Sequence, residues 1–345
     1  MDERIFRAVG PGPAWLVGGA IRDELLGRDV LDVDIACAEP EQAARAYGRE
    51  ARGAVFPLSE RHGAWRVAFP GGRTVDFTPV QGGSIEADLG TRDFTVNAVA
   101  RPLGGGGLVD PFGGRADLDD RRLRVVSARV FEDDPLRLLR AVRLEDELGF
   151  RLDEETERLL RNAAGLVTQS AGERILGELE RLSPTGYARL DELGLLGKLG
   201  GVAPSGGVPL DSPAFRLVWF FRDRLERLPI SNELRRYART LLRARPPADA
   251  SAREIHRFRR ATEPWALDAL ALLGTGEELV EAVEQARATE PSEPLLRGDE
   301  VGVPPGPEVG RLLALVAEER AAGTIRTREE ALQLVEREKR VNSST

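Results

Sequence analysis

Two aspartates two positions apart, Asp32 and Asp34, interrupt the otherwise apolar stretch LDVDIACA at 31–38. In a β-strand, residues i and i+2 share a face, so Leu31, Val33 and Ile35 turn to one side and the two aspartates to the other. Carboxylates this close repel, and stay ionised cheaply only in water or across a cation. An exposed edge strand with polar alternation is the competing explanation. Just upstream, VGGAIRD (17–23) sets Gly18 and Gly19 in a strand-to-helix turn, where free backbone N–H groups suit a phosphate. Downstream, Asp76 in TVDFT lies between Val75 and Phe77, which face the other way, and is a third candidate carboxylate. The chain has two histidines, His62 and His256, and one cysteine, Cys37, so any metal must be held by oxygen, as Mg²⁺ is. A phosphate cradle beside paired carboxylates is the apparatus of metal-assisted nucleotidyl transfer.

The elements that position these groups read as an α/β head. AWLVGGAIRDELLG is a strand, a glycine turn and an amphipathic helix ended by Gly27. VLDVDIACA is a strand, and PEQAARAYGREA a helix after Pro40. AVFPLS, AWRVAFP and RTVDFTPV are short β runs, the last two joined by a Gly-Gly hairpin. From about Asp134 the period becomes helical throughout, with Gly/Pro-rich breaks at 200–209 and 301–307 and a frayed VNSST end. The fold class expected is α+β: a mixed sheet with helices, then an all-helical remainder.

At 345 residues the chain is expected to hold two or more domains. No apolar run approaches the roughly 20 residues of a membrane helix, the N-terminus lacks a signal-peptide pattern, and a single cysteine fits the reducing cytoplasm. Net charge is −8 but uneven: Arg216 to Arg260 holds thirteen arginines against five acids. That stretch is either a nucleic-acid surface or a set of solvated helix faces.

LVGGAIRDELLGRDVLDVDIA resembles the signature of class II nucleotidyltransferases, the family of tRNA CCA-adding enzymes and bacterial poly(A) polymerases. RDFTVNAVA (92–100), LVDPFGGRADLDDRRLR (108–124), DDPLRLLRAVR (133–143), ERILGE (173–178) and the segment 295–335 resemble further family motifs in order. The resemblance implies a catalytic head at 1–125, a nucleotide-selecting neck at 126–182, and a tRNA-binding body and tail at 183–290 and 291–345. It implies Asp32 and Asp34 as Mg²⁺ ligands, with Asp76 as a further catalytic carboxylate. Gly18, Gly19 and Arg22 would hold the triphosphate, and Arg92 and Asp93 would act near the sugar and at the hinge of head and neck. Thr91 stands where the family usually has a second arginine.

Asp134 followed by Pro135 is a strong helix start by itself. The resemblance gives Asp134 and Arg137 another task, reading the Watson–Crick edge of CTP or ATP; both hold only if the carboxylate is shared or the cap passes to Asp133. Arg137, Arg140 and Arg143 recur every third residue and face either the triphosphate or water. Glu173, Arg174 and Glu178 are expected to brace helices, and Phe94, Val96 and Ala98 to be core. The partners implied are tRNA, CTP and ATP, with no membrane; no protein partner is predictable from the sequence. The reaction expected is CCA addition by attack of the RNA 3′-hydroxyl on the α-phosphate. CC addition alone is an alternative, because only PVQGGSI separates VDFT from EADLGTRDFT. Poly(A) synthesis, an inactive tRNA-binding paralogue and transfer to a small molecule are the other readings. The chain contains no His-Asp dipeptide, so no appended phosphohydrolase is expected.

Overall fold

The computed structural model describes residues 2–30, 32–59, 63–289, 291 and 293–342. Leu31, His62 and the last three residues of VNSST lie outside these. The chain forms two compact units, residues 1–203 and 204–345, and the boundary in sequence falls within the first Gly/Pro-rich break.

The first unit opens with α1 (Glu3–Val9), β1 (Ala14–Val17), α2 (Gly19–Leu25), β2 (Asp32–Cys37), α3 (Pro40–Ala51), β3 (Ala54–Ser59), β4 (Ala64–Ala68) and β5 (Thr74–Pro79). After α4 (Ile85–Gly90), β6 (Ala100–Pro102) completes a mixed sheet in the order β3-β4-β5-β2-β1-β6. Only β2 and β5 pair in parallel; every other neighbouring pair is antiparallel.

Alternation along β2 assigns its faces. Val33, Ile35 and Cys37 pack with Tyr47, Val75 and Phe77 under α1 and α3. On the other face Ala36 is buried with Val17, Ile85, Leu89 and Ala98. That cover ends before the strand begins: Ala36 is buried, Asp34 half-buried and Asp32 exposed. The strand is central, so the edge-strand explanation of its polar alternation fails. α3 starts at Pro40, which fixes φ where no N–H partner is needed, and buries Ala43, Ala44 and Tyr47 against the sheet.

α5 (Gly114–Asp119) follows the third motif, whose residues brace the head. Asp110 accepts the N–H groups of Gly114 and Arg115, and the buried Asp117 takes Thr95 Oγ1 at 2.6 Å and pairs with Arg122 and Arg124. Then come α6 (Val130–Asp133), α7 (Arg137–Leu148), α8 (Glu154–Ala163), α9 (Gly172–Arg181), α10 (Pro184–Glu192) and α11 (Leu195–Leu199). Short β-pieces at 122–123 and 151–152 pair in parallel. The helical-period sequence ARLDELGLLGKL is divided between α10 and α11 because Gly194 adopts φ +74°. Phe94, Val96 and Ala98 are fully buried core, as expected.

The second unit is helical: α12 (Pro213–Phe221), α13 (Asn232–Arg243), α14 (Ala252–Thr262), α15 (Ala266–Leu273), α16 (Glu277–Thr289), α17 (Pro307–Ala321) and α18 (Arg328–Asn342). Leu296, Val301, Leu312, Val316 and Val335 form a separate small core at its C-terminal end. Among the described residues no helix is long and apolar enough to cross a membrane.

Candidate functional site

The carboxylates stand in a row across the sheet. In the strand registers Arg66 on β4 faces Asp76 on β5, Asp76 faces Asp34 on β2, and Asp34 faces Val17 on β1. Gly18 follows immediately. A Cβ on Gly18 would lie 2.7 Å from Asp34 Oδ2 and 3.0 Å from Arg92 Nη1, so glycine, carboxylate and guanidinium converge on one point. Asp32 lies two residues along β2, facing Thr74, whose hydroxyl donates to it at 2.7 Å.

The three aspartates differ sharply in their partners. Arg66 donates from Nε and Nη2 to both oxygens of Asp76, at 2.7 and 2.8 Å. Among the described residues no hydrogen bond or ion pair is made to the Asp34 carboxylate. Burial pushes Asp34 up to about 6; Arg92 opposes that rise, while Asp76 and Asp32 add to it. Such a group is poised for a cation. No cluster of three or more His, Cys, Asp or Glu side chains among the described residues is assembled to cage a metal. Two hard carboxylates with phosphate and water completing the shell are what Mg²⁺ accepts, so the donor set fits that ion.

Arg92 is the cation at the Gly18 point. Its Nη2 donates to the buried Asp88 at 3.2 Å, and its Nε is buried without a hydrogen-bond partner among the described residues. Gly18 caps α2 with φ +78° and no side-chain cap. Arg22 is already engaged, donating to both oxygens of Asp23 and to Asn97 Oδ1.

From Arg22 a polar chain runs into the following helices. Asn97 donates to Asp93 Oδ1 at 2.9 Å, and Arg140 donates to Asp93 Oδ2 from Nε and Nη2 at 2.9 and 2.8 Å. Burial alone would raise the Asp93 carboxyl, but the Arg140 charge and hydrogen bonds from Asn97 and the Phe94 N–H hold it at about 2. A depressed carboxyl stabilises the fold above its unfolded value of 3.8, and that contribution is lost as pH falls toward 2. The whole contribution is about 2 kcal/mol. Asp93→Asn is therefore expected to be less stable than the wild type at pH 6, with the gap closing by about 1 kcal/mol at pH 3. Urea titrations at both pH values check this; an equal gap at both would remove the ionic account.

The three evenly spaced arginines diverge. Arg137 donates to the carbonyl oxygens of Thr91 and Arg92, at 2.7 and 3.4 Å, and Arg140 binds Asp93. Arg143 is buried and taken up by Glu178 at 2.5 Å and Glu147 at 2.6 Å, so the structure does not bring it to the Gly18 point. All three anchor α7 to residues 91–93 and to α9; they form neither a common phosphate-facing row nor a solvated face.

Asp134 has an extended backbone and ends α6, while α7 begins at Arg137 after a Pro135-Leu136 turn. Its carboxylate still accepts the Leu136 N–H at 3.2 Å, and Arg174 on α9 forks it at 2.8 and 3.3 Å. The expected helix start at Asp134-Pro135 is therefore displaced to Leu136, with no side-chain cap from Asp134 or Asp133, and the Asp134 carboxylate is shared between the Leu136 N–H and Arg174. Arg174 and Glu178 brace helices as expected, whereas Glu173 is exposed. Sequence reasoning passed over Arg66, Asn97 and Asp88. For Arg66 the signal was incomplete: a two-residue Gly-Gly turn would set it opposite Phe77, and it is the three-residue loop Pro70–Gly71–Gly72, closed by the Phe69 N–H to the Arg73 carbonyl, that sets it opposite Asp76.

In the second unit the basic stretch is partly self-neutralised. Arg216 is buried, Arg239 pairs with Glu226, and Arg257 with Glu254 and Glu318. Arg239, Arg243, Arg245 and Arg257 line one cleft with Pro246 and Pro247.

Residues 14–124 match the family model described as the poly(A) polymerase head domain. The chain is 34% identical to the A-adding tRNA nucleotidyltransferase of Deinococcus radiodurans, over 95% of this chain and 96% of that protein. It is 32% identical to the CC-adding enzyme of Thermus thermophilus over 96% and 95%. The CC-adding enzyme of Geobacter sulfurreducens is 41% identical, but over 62% of this chain and half of that protein's length. In fold the chain is similar to a CCA-adding enzyme solved with ATP, with TM-score 0.79, 24% identity and coverage of 97% and 95%. It is also similar to the Thermotoga maritima CCA-adding enzyme solved with tRNA, with TM-score 0.72, 24% identity and coverage of 96% and 92%. Full-length agreement with such relatives, over a head whose carboxylates, glycine turn and arginine converge, makes this chain a member of the tRNA nucleotidyltransferase family.

Proposed function

We propose that the protein transfers CMP and AMP from CTP and ATP to the 3′ end of tRNA, building or repairing the CCA terminus. The observation that carries the proposal is the convergence of Asp34, Gly18 and Arg92 at the end of the Arg66–Asp76–Asp34 row. The 3′-hydroxyl oxygen attacks the α-phosphorus, the bond to the bridging oxygen breaks, and pyrophosphate leaves. Asp32 and Asp34 would hold Mg²⁺, which would supply Lewis acidity toward the hydroxyl and the triphosphate. Gly18 keeps the space beside Asp34 free of a side chain. Arg92 offers phosphate its Nη1, the nitrogen at the Gly18 point, and Gly19 and Arg22 contribute from α2; Arg22 exchanges Asn97 for the triphosphate as the nucleotide enters. Asp76 lies along the row as the further carboxylate.

Asp134 and Arg137 present an acceptor and donors to the base. Their bonds to Arg174 and to the Thr91 carbonyl fix their orientation before the nucleotide arrives. Asp134→Ala is expected to relax the choice between CTP, ATP and UTP by about tenfold, the size of one lost hydrogen bond to a charged group. Competition assays with mixed nucleotides check it; a lower melting temperature with unchanged selectivity would leave Asp134 only its structural bonds. The segments 1–125, 126–182, 183–290 and 291–345 serve as head, neck, body and tail, and the arginine-lined cleft of the body takes the RNA phosphate backbone. A buried, free Cys37 agrees with the cytoplasm as its place of work.

CC addition alone is favoured by one observation. The link from β5 to Arg92 is short and tied down: Gln81 N–H donates to Asp88, Ser84 caps α4, and Asp88 binds Arg92. A tRNA transcript lacking its terminus, incubated with CTP, ATP or both, separates the readings. Three residues added with both nucleotides support CCA addition; a stop at two C residues supports the narrower activity.

A further inference from the structure

We infer that Arg66 is an internal counter-cation of the carboxylate row, which fixes the plane of Asp76 and keeps free divalent ions weakly bound until a nucleotide arrives. The inference rests on the reading of Asp32 and Asp34 as metal ligands. Arg66 lies in mid-strand between Trp65 and Val67, which pack with the opposite core, so its side chain is confined to the carboxylate face. There it forks both oxygens of Asp76, with a third of the arginine side chain exposed and 11% of the aspartate. A planar guanidinium sets a carboxylate's orientation as well as its charge, which an ammonium does not.

The row without Arg66 would set three carboxylates on neighbouring register positions. Arg66 removes one unit of that negative charge from the side opposite Gly18. Arg92, at the other end, gives its ion pair to Asp88, outside the row. The site is therefore less negative than its aspartates imply, and its pull on a free cation is correspondingly lower. The triphosphate restores the missing negative charge, so ion loading becomes tied to nucleotide binding. Arg66 acts through Asp76 and is a positioning residue.

Mn²⁺ titration of the full-length protein, without nucleotide or tRNA and followed by the EPR signal of the free ion, tests this. Arg66→Gln is expected to bind Mn²⁺ about tenfold tighter than the wild type, the scale for one unit charge removed from a partly exposed site. Added Mg²⁺ is expected to raise its melting temperature more than that of the wild type. Arg66→Lys keeps the charge but not the fork; it should bind Mn²⁺ within about twofold of the wild type, with a lower kcat for incorporation and an unchanged KM for nucleotide. Unchanged or weaker Mn²⁺ binding by Arg66→Gln overturns the inference, as does equal tightening in both variants. Should the glutamine variant not fold, the lysine variant decides: retained affinity with lowered kcat supports the role, and tightened binding or wild-type kcat refutes it. Failure of both the wild type and Arg66→Gln to bind Mn²⁺ would instead remove the metal-ligand reading of Asp32 and Asp34.

Discussion

Asp34→Asn is expected to lower nucleotide incorporation by at least about a thousandfold while leaving the folded protein no less stable. The activity loss follows from the position of Asp34, between Asp76 in the register and the Gly18 turn, where a neutral amide cannot hold a divalent ion. The stability expectation is less usual. Most buried carboxylates are held by partners, and removing one leaves a donor stranded. Asp34 accepts no hydrogen bond among the described residues, and its charge is disfavoured by burial and by two neighbouring aspartates. Relieving that charge should offset the loss of a favourable contact with Arg92. Single-turnover incorporation, filter binding of tRNA and melting in EDTA together check this. Should RNA binding and stability fall in step with activity, Asp34 would be a structural residue, and the assignment of the site to this row would fail.

Gly18→Ala comes next in size, with incorporation expected to fall by about a hundredfold or more. At φ +78° and ψ −148° the backbone occupies a region that only glycine enters readily, which alone costs about 1–3 kcal/mol for alanine. The new methyl group would also stand 2.7 Å from Asp34 Oδ2, well inside van der Waals contact. Asp34 has a short side chain on a central strand and cannot retreat without moving the carboxylate out of line with Asp76. Gly19→Ala is the comparison: its nearest neighbour would be Arg22 Nη2 at 3.2 Å, the far end of a long side chain that can give way. A milder effect at Gly19, within about tenfold of the wild type, is therefore expected. Steady-state kinetics on the two variants settle the point; equal losses would mean that the turn acts only through its backbone N–H groups.

Legibility in the sequence followed the range of each interaction. The alternation in LDVDIACA identifies the shared face of Asp32 and Asp34, because strand period is local. Pro40 likewise marks the start of α3. The fate of Arg137, Arg140 and Arg143 was not readable, since a three-residue spacing fixes their relation along a helix but not what packs against it. Arg143 meets Glu178 from a helix 35 positions away, and that pairing turns a row of free charges into a buried brace. Asp134 shows both limits at once. Its bond to the Leu136 N–H is local, though the helix it was expected to cap starts two residues later, whereas its fork with Arg174 depends on where α9 comes to rest. Arg66 lay between these cases, since its partner follows from hairpin register only once the loop is known to hold three residues.

The single parallel pairing in the sheet has a consequence for the order in which the head assembles. Asp32 and Thr74, joined across β2 and β5, are 42 positions apart in the chain, and Asp34 and Asp76 share that register. A parallel neighbour cannot be reached by a tight turn, so α3 and the β3-β4 ribbon must be formed or displaced before the two strands close. Loop-closure entropy makes this one of the slower contacts of the domain. During synthesis a chain that has emerged only as far as β4 carries the paired aspartates of β2 without Asp76. The row from Arg66 through Asp76 to Asp34 is thus completed in one late step, and its appearance in a refolding experiment times the completion of the sheet.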